Sequence, residues 1–189
     1  MAALRVATAV LAGLFAPAGC GLAELGEDTD VGDAPQCEAA RTWPIAFTEA
    51  EEDFLALLTD LRDSGGLCGE AELPGVGDLE LVPALRCAAR LDATVRVEND
   101  DIDQNSDAIA SAFTRVNLAG YEGIVRHQLI AADYFEAATL FDAWMGSPEH
   151  CEAMLDDNLA HIGIGHSRTG RSGREDGAVW VVVTGEERD

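Results

Sequence analysis

The chain contains no lysine, and 12 arginines stand against 35 Asp and Glu in 189 residues, giving a formal charge of −23. So few cations cannot neutralise a run of phosphates, which excludes nucleic acid as a partner and favours neutral or cationic ones. There is no Cys-x-x-Cys pair to start a thiolate zinc site and no Gly-x-Ser-x-Gly elbow to present a nucleophilic serine. The apolar run Val6–Phe15 is short of the roughly 20 residues that span a bilayer. The length suits one domain once a leader is set aside.

That leader is residues 1–19: Arg5, the apolar run, then Ala18-Gly19-Cys20, the layout of a signal peptide. Its end resembles a bacterial lipobox, with Pro17 where Leu is usual, and the resemblance implies lipidation of Cys20, with plain secretion as the alternative. Gly21 in place of Asp points to the outer membrane or cell surface. Residues 20–42 are acidic and rich in Gly and Asp without an apolar period, which predicts a flexible tether. The domain is expected over residues 43–189. Removing Cys20 leaves Cys37, Cys68, Cys87 and Cys151, an even set in an oxidising compartment, so two disulfides are expected among three possible pairings.

Thr48-x-x-Glu51 reads as a capping box opening a helix whose Phe54, Leu55, Leu57, Leu58 and Leu61 recur at helical spacing up to Gly65-Gly66. Further helices are expected over 81–95, with Pro83 in the first turn, over about 108–118, and over 134–144. Ser147-Pro148 marks a short helix with Ser147 as N-cap, placing His150 and Cys151 beside a rigid helix start. Strands are expected over 124–131, 161–167 and 178–184, with a polar loop over 169–177 and His166 in the loop region after the second strand. In His161-Ile162-Gly163-Ile164-Gly165 the alternation of apolar and small residues suggests a strand with a close neighbour.

The segments SPEHCEAML and IGIG, together with Arg115, Ala119-Gly120-Tyr121, Trp144 and Val179-Trp180-Val181, resemble the CAP superfamily of cysteine-rich secretory, antigen 5 and pathogenesis-related proteins, in its bacterial form. The resemblance spans about residues 47–186. It implies an α+β fold, a three-layer α-β-α sandwich with a small antiparallel sheet. It also implies Cys68 bonded to Cys151, and with it Cys37 to Cys87. Many members gather two His and one or two acidic groups in a cleft that holds a divalent metal. Here the first His position carries Gln104 and the Glu position carries Gln128, so only His150 stands in place. Gln offers no charge and is a poor zinc ligand. No catalytic residue, metal or cofactor is therefore expected, and Gln104, Gln128 and His150 are expected to line a neutral groove.

His127 could replace Gln128 only by a one-residue slip, since neighbouring strand residues face opposite ways. Asp101, Asp103, Asn105 and Asp107 alternate as in a calcium loop, but Ser106 and Ala112 stand where the turn Gly and the closing Glu belong. A helix-capping acidic loop fits better. These readings lead to an exported, monomeric, lipid-anchored protein that binds a lipid, an envelope component or a protein. The alternatives are a metal-assisted hydrolase using His150 with His127 or His161, and a purely structural envelope protein.

Overall fold

The structure, a computed structural model, describes residues 23–28, 30–103, 112–169 and 177–188. Along the chain run β1 (Leu25–Glu27), a 3₁₀ turn (Pro35–Cys37), α1 (Glu38–Arg41), β2 (Thr42–Pro44), α2 (Ile45–Ser64), β3 (Gly66–Cys68) and β4 (Ala71–Leu73). There follow β5 (Glu80–Leu81), α3 (Pro83–Asn99), α4 (Ala112–Leu118), β6 (Ile124–Ala132), α5 (Ala137–Met145), α6 (Pro148–Met154), β7 (His161–Thr169) and β8 (Gly177–Glu186).

The central sheet has the order β5-β7-β8-β6. It is antiparallel except for the two-residue edge strand β5, which pairs parallel with β7. One face, carrying Leu129, Ala131, Ile162, Ile164, Trp180 and Val182, packs on α2, α5 and α6. Phe54 of α2 meets the Trp144 ring edge-on at 5.3 Å. The other face, with Val179, Val181 and Val183, packs on residues of α3 and α4. Helices therefore cover both faces, giving the α-β-α sandwich.

Gly163 and Gly165 explain the intimacy of the second interface. A Cβ at either would overlap the α3 backbone, at Leu85–Arg86 and Ala89–Arg90 respectively, so only glycine lets helix and strand approach this closely. Pro83 sits in the first turn of α3, where its missing N–H leaves no hydrogen bond unmade. Cys37 bonds to Cys87 and Cys68 to Cys151, partners 50 and 83 positions apart in sequence. On the chain-entropy treatment each closure is worth roughly 4 kcal/mol.

Three expectations change. The segment read as a tether over 20–42 is packed onto the domain from Leu25 onward. β1 pairs with β2, Val31, Cys37 and Ala40 are fully buried, and Asp28 reaches both Arg86 and Arg90 at 3.3 and 2.8 Å. Its acidity thus serves specific arginines as well as solvation. The capping box is also absent: α2 begins four residues earlier, with Pro44 at the N-cap position, and Glu51 turns inward to Arg90, whose Nη2 also donates to the Thr48 hydroxyl. Finally, His166 lies within β7, fully buried and stacked on Trp180 at 4.1 Å.

Burial, and then the neighbouring Arg168 charge, push His166 down to about 3. An unfolded histidine titrates near 6.5, so the unfolded chain binds the extra proton first and stability falls as pH drops from about 6.5 toward 3. His166→Phe keeps the stack on Trp180 and removes this proton. Urea midpoints of the variant are expected to decline less than the parent's between about pH 6.5 and 5, the upper part of that window; parallel declines would assign the loss to other groups.

Candidate functional site

Of the three residues expected to line one groove, Gln128 and His150 do not share a surface. Gln128 of β6 sits opposite Val183 in the sheet, on the α3 side, and its Nε2 donates to the Asp92 carboxylate. Asp92 is buried between Arg96 and Arg115, at 3.0 and 3.3 Å. Burial outweighs these charges and hydrogen bonds and leaves its carboxyl above the usual range. Arg96 also donates to the carbonyls of Asp101 and Asp103, while Asp100 closes α3 in the left-handed conformation. The start of the acidic run is thereby a helix cap. Gln104 lies outside the described residues.

His150 belongs to the other face. It projects from α6 and stacks on Trp144 at 5.6 Å with the rings 8° from parallel, and Trp144 is part of the core beneath α2 and α5. Ser147 is the N-cap by position, but its hydroxyl pairs with His150 Nδ1 at 2.8 Å and caps no backbone amide. The neutral groove is thus corrected: the sheet itself separates Gln128 from His150, because Gln128 shares its face with Ile130 while Leu129 and Ala131 face α2.

All four histidines are held apart by separate partners. His127, on the face opposite Gln128, pairs with Asp156 at 2.9 Å. Burial raises the Asp156 carboxyl, but hydrogen bonds from the Asn158 amide N–H, His127 and the Asn158 side chain outweigh it and bring it to about 2. His161 meets the Tyr121 hydroxyl at 2.9 Å, and His166 accepts from Arg168 Nε at 2.9 Å. Among the described residues no group of three or more His, Cys, Asp or Glu side chains is assembled to hold a metal. The cation site of the resemblance therefore does not fit this donor set: His150 Nδ1 is engaged by Ser147, and Gln128 is committed to Asp92 behind the sheet.

The polar convergence that sequence reading missed is at the start of β7. Tyr121 and His161 open onto a cavity of about 590 Å³ also lined by Asn117, Gly123, Glu187 and Arg188. The Tyr121 hydroxyl donates to the Glu186 carbonyl at 3.2 Å and pairs with His161 Nδ1 at 2.9 Å. A Cβ at Gly123 or Gly185 would overlap that hydroxyl. These two glycines were the available signal, although nothing local ties them to a tyrosine. With the Tyr121 proton engaged inside the site, what faces the cavity is the His161 imidazole beside the Glu187 carboxylate, which suits binding of a neutral or cationic polar group.

Burial, then the charges of Glu186 and Glu187, push Tyr121 up to about 12. An unfolded tyrosine ionises near 10, so stability falls as pH rises from about 10 to 12. The absorbance titration of the native protein minus that of Tyr121→Phe is expected to show a phenolate forming near 12; a difference centred near 10 would mean the hydroxyl is not held in this pair.

The family described as cysteine-rich secretory protein family, CAP, matches residues 74–184. Among solved structures, the chain is similar to an outer surface protein from Borrelia burgdorferi, with 20% identity and a TM-score of 0.54 over 74% of this chain and 94% of that one. It is also similar to an extracellular protein containing an SCP domain from Bacillus anthracis, at 12% identity and TM-score 0.56, covering 77% of this chain and 44% of the other. A cysteine-rich secretory protein from Staphylococcus aureus gives 13% and 0.53, covering 77% and 41%. The chain thus spans nearly all of the Borrelia protein and less than half of the other two. No curated protein matches it.

Proposed function

The chain belongs to the cysteine-rich secretory protein (CAP) family, and from that premise we propose that it is an exported, lipid-anchored domain that acts by non-catalytic binding at the cell envelope. Its similarity to an outer surface protein and to an extracellular SCP-domain protein supports an extracytoplasmic location, and Ala18-Gly19-Cys20 supports attachment through Cys20.

The observation that carries the non-catalytic reading is the dispersal of the histidines. Each is engaged by a different partner, Asp156, Ser147, Tyr121 or Arg168. General acid-base or metal-assisted hydrolysis needs at least two such groups to converge on one reacting atom. The best binding position is the Tyr121–His161 cavity, where an imidazole positioned by a buried tyrosine lies beside the Glu187 carboxylate. The ligand class that fits is a neutral or cationic polar group of the envelope, in keeping with the acidic surface.

Calorimetric titration of Zn²⁺, Mg²⁺ and Ca²⁺ into the mature protein tests the reading. The expected result is heat no greater than nonspecific association, the same for His150→Ala. Tight binding that disappears in His150→Ala would contradict it and favour the metal-assisted hydrolase.

A further inference from the structure

The packing of residues 25–44 shortens the link between anchor and domain. Only residues 21–24 separate Cys20 from Leu25, the first residue of β1. Five residue steps reach at most about 18 Å when fully extended. α2 begins beside this point: Ile45 N–H donates to the Glu24 carbonyl, and Leu25 pairs with Pro44. The helix then runs 20 residues away, about 30 Å. A link of about 18 Å keeps the near end of α2 close to the bilayer, whereas the far end lies about 30 Å further along the helix and has no such tie.

The near end is also where exposed apolar groups meet the chain's scarce cations. Leu25 is 59% exposed, Ile45 37% and Phe135 36%. The exposed Arg168 lies over the Phe135 ring at 5.2 Å and near Phe47 at 5.9 Å, and Phe47 belongs to the first turn of α2. Apolar and aromatic groups rimmed by an arginine suit the headgroup level of a bilayer. The carboxylates of Glu27, Asp30, Glu49 and Glu52 beside Ile45 disfavour an anionic one.

Resting on the lipid anchor proposed above, we propose that the domain docks on a zwitterionic lipid surface by this end, with Leu25, Ile45, Phe135 and Arg168 at headgroup level. The far end of α2 and the Tyr121–His161 cavity, at the opposite end of β7 from Arg168, then face away from the bilayer.

The test uses full-length lipidated protein in phosphatidylcholine vesicles brominated near the top of the acyl chains, with Ile45→Trp and Leu67→Trp compared to the parent. Leu67, 62% exposed, follows the far end of α2. Loss of most of the added Ile45→Trp emission, with the Leu67→Trp emission retained, is the expected result. Vesicle-bound, acylated protein whose Ile45→Trp emission is untouched, or in which both are quenched alike, would overturn the docking while leaving the anchor standing. Protein that mass spectrometry finds unacylated, and that behaves like Cys20→Ser in failing to float with vesicles, would overturn the anchor and the docking with it.

Discussion

Glu51 is the residue on which the rest of the arrangement hangs. It is 2% exposed, and its two oxygens accept from Arg90, from Trp43 Nε1 at 3.0 Å and from the His166 backbone N–H at 3.0 Å. Arg86 approaches at 3.4 Å. Arg90, itself fully buried, also donates to the Ala40 carbonyl and lies 5.0 Å above the Trp43 ring. One carboxylate thus joins α2, α3, β2 and β7, and through Arg86 and Arg90 it shares its cations with Asp28 of the N-terminal segment. A buried ion with so many donors is costly to strip of any partner.

The same economy explains the composition. Arg62, Arg86, Arg90 and Arg96 are all buried. Arg62 donates to the carbonyls of Gly77, Met154 and Asp156, a task for a planar fork with five donors that a lysine would do poorly. With these cations inside, the surface is more acidic than the net charge alone suggests. The interior also absorbs polar groups that relatives could use in a cleft: Gln128 completes the Asp92–Arg96–Arg115 cluster. In the proposed reading, binding then falls to the two ends of the sheet, one near the N-terminal segment and one at Tyr121 and His161.

Periodicity was enough for the layers, because Phe54, Leu58 and Leu61 on α2 and the alternation of β6, β7 and β8 each record a single buried face. Gly163 and Gly165 even announced the close neighbour, α3. The N-terminal segment was illegible because its burial depends on Arg86 and Arg90, more than 50 residues away, and on the Cys37–Cys87 bond. The candidate groove failed for a different reason. Motif matching placed Gln128 and His150 at family positions without saying on which face of the sheet each would stand. Likewise, Thr48-x-x-Glu51 had the spacing of a cap, but a buried arginine competed for both side chains.

The central role of Glu51 is tested most directly by a double-mutant cycle of Glu51→Gln and Arg90→Met, followed by urea unfolding at neutral pH. Each single change should cost about 3–5 kcal/mol by taking from a buried ion its closest partner, and the double variant should lose far less than the sum. Single changes that each cost under about 1 kcal/mol and add independently would contradict it, placing the hold on the N-terminal segment in the disulfide and apolar contacts instead.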